Sequence, residues 1–360
     1  MNPRMCIIVN YRSEHGGLHD HVADQVGFAT EFGCDVTLVC PPGPFAERMR
    51  DRCDVIAMPL GDPGNVAAKV LEQSPPAIVH AHPGAAREVA FAIKEARPVP
   101  VLVTYHGSRP ETLTAADPRV DIAITVSEVT RRFVIKRTTV DPARIVVIPN
   151  AVNTSVFAPA ASLSQERRSV LVASRWDDDK GFVVELVLEA MRGVLEAPDL
   201  ADVDVVVAGD GSRLQELQQV CGEANAVRER QSFRSVGWLD APALAQEIAS
   251  ASVVVSPGRG ALQSMAVGRA TVALGSKGYI GFLEGVNLLQ GADANFGSGG
   301  LGPRKYPQGL VVQDLRRALD RSQDTRLLEA YQAVVQERTL PMIGQAHARV
   351  WSIALAGMES

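Results

Sequence analysis

The sequence predicts an α/β protein made of two doubly wound, Rossmann-like domains facing a central cleft. Three observations predict it. Short Val/Ile-rich runs recur without alternating apolar and polar positions, the pattern of strands covered on both faces. Amphipathic stretches separate these runs, and strand–helix alternation of this kind implies an open parallel sheet. The alternation happens twice, on either side of an Ala/Ser/Pro-rich stretch with no apolar period, "NAVNTSVFAPAASLSQERRS", residues 150 to 169. A chain of 360 residues also suits two domains better than one.

Taken in order, the first-half runs are "MCIIVN", "DVTLVC", "CDVIAMPL", "AIVHAH", "VPVLVTYHG", "DIAITVS" and "RIVVIPN". Those of the second half are "SVLVASR", "DVDVVVAGDG", "FRSVGWL", "ASVVVSPG" and "ATVALGS". Amphipathic spacing predicts helices over Leu18 to Phe32, Gly181 to Leu195 and Ser212 to Ala226. The last segment, Leu327 to Ala356, is helical in pattern and broken near Pro341. The expected domains are residues 1–157, residues 158–340 and a helical tail over 341–360 that packs back on the first domain.

Composition excludes several partner classes. The formal net charge is −5 and no basic block occurs, which argues against nucleic acid and anionic membranes. The apolar run Met5 to Val9 is too short for a signal-peptide core, and no stretch approaches a membrane span. The five cysteines, at 6, 34, 40, 53 and 221, form no CxxC pair. Reduced, buried thiols in a cytoplasmic protein are therefore expected, without metal ligation.

Ligands of open α/β sheets bind beyond the carboxyl ends of strands, near helix N-termini. The residues expected there are unusually rich in Gly, His, Ser and Arg. Gly16-Gly17 would let backbone approach a ligand or form a plain tight turn. The GxGxxG fingerprint is absent, and "DVTLVC" ends in Cys40 rather than an acid, which counts against a dinucleotide enzyme. His106 ends "VLVTYH" and could bond a sugar hydroxyl, a phosphate or local backbone. His80 and His82 share one face of a strand, but no third ligand is evident for a metal, so a structural or cleft-lining role is expected. In "SRWDDDKG", Arg175 and Lys180 can converge on one diphosphate, with the three aspartates as a solvated loop. In "AGDGSRL", Gly209 and Gly211 form a turn and Ser212 is a candidate N-cap. "SPGRGALQSMAVG", residues 256 to 268, brings backbone N–H groups and Arg259 toward an anion, with no carboxylate in the stretch.

Collectively "GGLHDHV", "VTYHG", "ITVSEVTRRF", "VVIPNAVNTSVFAP", "VASRWDDDKG", "VVVAGDGSRL", "SVGWLD" and "ASVVVSPGRGALQSMAVGRATVA" resemble the retaining glycosyltransferases of the GT-B fold, family 4, over residues 5 to 285. The resemblance implies a metal-independent enzyme that needs no cofactor. It moves a sugar from a nucleotide-sugar, a UDP- or GDP-sugar; the acceptor is expected to be small and soluble, since the N-terminal domain shows no basic-amphipathic membrane patch. It implies that Arg175 and Lys180 neutralise the donor diphosphate and that Gly237 and Trp238 lie where the base is held. Gly258, Arg259 and Gly260 cradle phosphate, and Gly16 and Gly17 match the loop that closes over the phosphates. His106 contacts the transferred sugar. Asn150, Gly209 and Gly211 fall in matching motifs and are expected among the donor-binding residues. The family usually carries Glu, seven residues, Glu across residues 256 to 268. Here Gln263 takes the place of the second glutamate, which commonly bonds the ribose, and the first has no counterpart. Glu284, in the Gly-rich stretch after "ATVALGS", is the nearest acid and could supply a carboxylate, or be a surface acid in a mobile loop. Two alternatives stay open: a sugar-nucleotide epimerase or phosphorylase, and a non-catalytic partner that binds nucleotide-sugar. The oligomer allowed for is a homodimer.

Overall fold

The computed structural model describes residues 2–11, 15–82, 84–107, 119–160, 168–297 and 299–357. The chain divides into two compact units, one of Met1–Ala151 with Leu340–Ser360 and one of Val152–Thr339. The first division thus falls six residues before the boundary expected at residue 157. Residues 161–167 of the predicted connector lie outside the described residues, as does Glu14.

Unit 1 holds a seven-stranded sheet, β1 (Arg4–Ile8), β2 (Asp35–Cys40), β3 (Asp54–Ala57), β4 (Ile78–Ala81), β5 (Val101–Tyr105), β6 (Ile122–Thr125) and β7 (Ile145–Val147), in the order β3-β2-β1-β4-β5-β6-β7. Every pairing is parallel. β1, β4 and β5 are almost wholly buried, which is why their sequences read as unbroken apolar runs. The helices α1 (Gly17–Glu31), α2 (Pro44–Met49), α3 (Pro63–Gln73), α4 (Ala85–Ala96) and α5 (Glu128–Arg137) follow their strands. One core on one face gathers Met5, Ile7, Val22, Val26 and Phe28; a second on the other gathers Ile8, Val79, Val89 and Phe91. The strand order reverses between β1 and β4, the position where such sheets open toward ligands.

Unit 2 holds β8 (Ser169–Ala173), α6 (Gly181–Glu196), β9 (Asp204–Ala208), α7 (Leu214–Arg228), β10 (Phe233–Gly237), α8 (Ala241–Ser250), β11 (Val253–Pro257), α9 (Arg259–Val267), β12 (Ala270–Gly275), β13 (Gly278–Phe282), α10 (Gly285–Asp293), α11 (Leu310–Asp320) and α12 (Thr325–Gln336). Its six strands run β10-β9-β8-β11-β12-β13, reversing between β8 and β11. The first five are parallel, but β13 returns antiparallel on β12. This corrects the expectation of an irregular Gly-rich loop there. Glycine masks the strand signal: at Gly278 a Cβ would sit 1.9 Å from the Gly299 carbonyl oxygen, so close backbone packing excludes a side chain.

The chain then returns to unit 1. Its last helix, α13 (Leu340–Ala356), buries Ile343, His347, Val350 and Trp351 and packs on α1. Pro341 sits in the first turn of α13, where the missing N–H costs nothing. The ends of unit 2 are clasped: Val152 N–H donates to the Arg338 carbonyl at 2.8 Å, and Val152 pairs with Thr339. All five cysteines are free thiols, and only Cys53 is not fully buried. No helix among the described residues is long and apolar enough to cross a membrane.

Candidate functional site

In unit 2 the turns beyond β8, β9, β10 and β11 are tied to one another. Trp176 N–H donates to the Asp210 carbonyl at 2.8 Å, and Arg213 N–H returns to the Trp176 carbonyl at 2.7 Å. Gly209 N–H reaches the Gly237 carbonyl at 2.7 Å. Gly209 has a φ of +127°, and a Cβ there would lie 1.8 Å from the Ser174 carbonyl oxygen, so no other residue fits. Arg175, Lys180, Gly209, Gly211 and Gly237 therefore lie at the carboxyl ends of β8, β9 and β10. Trp238, next in the chain, remains 41% exposed.

Two corrections arise in these turns. Asp177 and Asp179 are not a solvated pair. Arg175 ion-pairs with Asp177 and donates to both Asp179 carboxylate oxygens at 2.9 Å. Spacings of two and four residues across a 3₁₀ turn bring both carboxylates onto one guanidinium fork. Ser212 is not an N-cap either. Its backbone N–H donates to Asp177 Oδ1 at 3.1 Å, so the aspartate closes the turn and α7 begins two residues later.

α9 begins at the switch point. Gly258, with a φ of +54°, caps it without any side-chain hydrogen bond, and its N–H donates to the Phe296 carbonyl at 2.7 Å. Ser256 Oγ donates to the Ala173 carbonyl at 2.6 Å, joining β11 to β8. Gly260 packs against that hydroxyl, and a Cβ there would lie 2.0 Å from it. Arg259 stands in the first turn. Gln263, one turn further, is only 9% exposed, yet its amide makes no hydrogen bond among the described residues.

Glu284 is neither a mobile surface acid nor an available carboxylate. It ion-pairs with Arg317 on α11 and with Arg321 just beyond that helix, and its side chain is 16% exposed. Those partners lie more than thirty residues away in sequence, with no local signal.

In unit 1, Gly16 caps α1, again with no side-chain hydrogen bond, and Gly17 is its first residue. One turn on, the His21 Nδ1 lies 3.1 Å from Asn150 Oδ1, and the His21 ring meets that of His106 edge-on at 4.6 Å. Gly16, Gly17, His106 and Asn150 thus share one end of the sheet. Behind them lies a buried polar layer that the sequence reading missed. His106 Nε2 is 2.7 Å from His82 Nδ1, and the two rings stack. His82 Nε2 is 3.1 Å from Gln25 Oε1. Gln25 Nε2 lies 3.4 Å from His80 Nε2, which is 2.7 Å from Thr104 Oγ1. Trp351 Nε1–H donates to His80 Nδ1 at 3.1 Å. Burial holds His80 and His82 well below the ordinary histidine pKa, with neighbouring histidines adding to the effect. His347, with neither ring nitrogen hydrogen-bonded among the described residues, is pushed down to about 3 by burial. The available signal was spacing: His21 and Gln25, and His347 and Trp351, are i, i+4 pairs of polar or amphipathic residues on otherwise apolar helix faces. Among the described residues no three His, Cys, Asp or Glu side chains are grouped to hold a metal ion.

Comparison with known proteins agrees with this geometry. The family description Glycosyltransferase Family 4 matches residues 15–156, and Glycosyl transferases group 1 matches residues 167–293. Among curated proteins, one component of the phosphatidylinositol N-acetylglucosaminyltransferase of Arabidopsis thaliana is 34% identical over 106 residues, which span 28% of this chain and 22% of that protein. Solved structures resemble the whole chain. A glycosyltransferase from Rickettsia africae superposes with a TM-score of 0.76 at 14% identity, covering 98% of this chain and 99% of that one. Sucrose-phosphate synthase from Thermosynechococcus elongatus does so with a TM-score of 0.73 at 16% identity, covering 99% and 100%. Anabaena HepE in complex with UDP and glucose gives 0.71 at 14% identity, covering 98% and 100%.

Proposed function

The chain belongs to the family 4 glycosyltransferases of the GT-B fold, and on that premise we propose that it transfers a sugar from a nucleotide-sugar to a small soluble acceptor, with retention of anomeric configuration and without a divalent metal. The observation that carries this reading is Gln263. Its amide makes no hydrogen bond among the described residues and opens to solvent, so a ligand can take it up without breaking a contact. A ribose hydroxyl beside the first turn of α9 is a partner of the right chemistry. The side-chain-free N-terminus of α9 favours an anion next to it.

In this reading Arg175 and Lys180 draw the donor diphosphate and stabilise charge on it as the glycosidic bond breaks. Arg175 begins paired with Asp177 and Asp179, so the diphosphate competes with two carboxylates for one fork. His106 contacts the transferred sugar, and the leaving phosphate takes the acceptor proton. That last step needs no carboxylate from the protein, consistent with a stretch from Ser256 to Gly268 that has none.

The test is calorimetric titration of UDP and GDP in excess chelator, followed by analysis of the anomeric product. One nucleotide binding with chelator present is expected. Loss of all binding there would overturn the metal-free reading, and an inverted product would overturn retention. A second reading, nucleotide-sugar binding without turnover, draws on Glu284: the nearest acid outside α9 is committed to two arginines. Binding without product under any donor would favour it.

A further inference from the structure

The hydrogen arrangement of the buried polar layer of unit 1 follows from its one obligate donor. An indole Nε1–H only donates. Trp351 Nε1–H faces His80 Nδ1 at 3.1 Å, so that nitrogen carries a lone pair and the neutral ring holds its proton on Nε2. His80 Nε2–H then meets Thr104 Oγ1 at 2.7 Å and the Gln25 amide at 3.4 Å. An amide NH₂ at that position would set donor against donor. The two orientations of an amide fill the same space, and hydrogen bonding decides between them. The His80 proton selects the orientation with Gln25 Oε1 toward His80 and the NH₂ toward His82. His82 Nε2, 3.1 Å from that end of the amide, therefore accepts. Its proton sits on Nδ1, and Nδ1–H donates to His106 Nε2 at 2.7 Å.

We propose that Trp351, His80, Gln25 and His82 are positioning residues, a one-way relay of hydrogen bonds that fixes His106 in the tautomer with its proton on Nδ1. Trp351 and His80 are wholly buried, as is Gln25, and His82 is 1% exposed, so water does not offer alternative partners. The functional consequence rests on the reading above. With Nδ1–H, His106 carries its donor on the ring nitrogen that does not face His82, and where that nitrogen meets substrate it suits an oxygen of the sugar or its phosphate. The opposite tautomer would turn a lone pair toward the same oxygen.

The relay can be reversed by one atom. With its carboxyl ionised and His82 neutral, the side chain of Gln25→Glu only accepts, so His82 donates from Nε2, its Nδ1 accepts, and the His106 proton moves to Nε2. In Trp351→Phe the relay loses its anchor and His106 should become a mixture of tautomers. Histidine-selective ¹⁵N NMR reads this directly, because protonated and lone-pair ring nitrogens resonate in separate regions. The chain has seven histidines, and His106→Gln identifies the resonances. The expected result is His106 protonated at Nδ1 in the wild type, at Nε2 in Gln25→Glu, and mixed in Trp351→Phe. Turnover of Gln25→Glu should fall by about tenfold, the factor of one lost hydrogen bond to substrate, with nucleoside diphosphate affinity unchanged. Wild-type His106 protonated at Nε2 would overturn the relay, and so would a tautomer indifferent to Gln25→Glu. A reversed tautomer with undiminished turnover would overturn the positioning role. The nitrogen shifts are read without substrate, so a wild type lacking transferase activity would defeat the functional reading and leave the relay standing.

Discussion

At Gln263 the protein offers the amide no hydrogen bond among the described residues. If its amide holds a ribose hydroxyl, Gln263→Leu should weaken nucleoside diphosphate binding by about 1–3 kcal/mol, because the hydroxyl would be buried without a partner. Gln263→Glu should bind at least as tightly, a carboxylate being the stronger acceptor. Calorimetry on both variants decides, and equal affinity in all three forms would move the ribose contact elsewhere. Arg175 gives a second test. Asp179→Asn removes one of the two carboxylates that compete for its fork, so diphosphate affinity should rise, whereas Arg175→Ala should depress turnover strongly. Unchanged affinity in the first and unchanged kinetics in the second would place the diphosphate away from this loop. The places of Arg175 and Lys180 after β8 and of Gln263 on α9 were legible in the sequence because glycines and strand ends mark them. The partners of Arg175 were not, since charges two and four residues apart in a loop converge only when the turn is 3₁₀. Those of Glu284 come from beyond Asp314, and no local pattern carries such a contact.

At the scale of elements, α9 and β11 meet with no spare room. Gly260→Ala would set a methyl group 2.0 Å from Ser256 Oγ and 3.0 Å from its Cβ. The serine would have to abandon the Ala173 carbonyl or β11 would have to shift. A loss of roughly 1–3 kcal/mol is expected, read as a lower denaturant midpoint with unchanged slope. A midpoint equal to wild type would mean that the serine rotates away freely. Twelve of the thirteen strands were legible as short apolar runs, most of them Val/Ile-rich because both of their faces are buried. β13 escaped because its glycines serve backbone approach rather than side-chain packing. The helix ends were less legible: α7 starts after an aspartate-closed turn, a tertiary contact that overrides the local capping preference of Ser212.

Across the whole molecule the histidines are unevenly shared: all seven lie in unit 1. Burial pushes His347 to about 3 and His19 to about 4, and holds His80 and His82 well below the ordinary value. Folded-state values below the unfolded value of about 6.5 mean that the unfolded chain binds more protons between them. The stability of unit 1 is therefore complete above about pH 6.5 and is lost as pH falls below it, by roughly 2 kcal/mol per fully buried histidine at pH 5. Hydrogen exchange at pH 7 and pH 5 should show unit 1 amides losing protection while unit 2 amides keep theirs; parallel loss in both would contradict this. The reverse dependence follows from α13. Because that helix comes last, unit 2 is an insertion of about 190 residues inside unit 1, and the Val152–Thr339 clasp keeps its two ends together. While unit 2 is folded, it acts on α13 as a short, stiff tether. Once unit 2 melts, the same docking must close a random coil of that length, at an entropic cost on the order of 4–5 kcal/mol. That is a large part of a typical domain's stability, so melting unit 2 draws α13 off unit 1, whereas melting unit 1 leaves unit 2 with both its ends still joined.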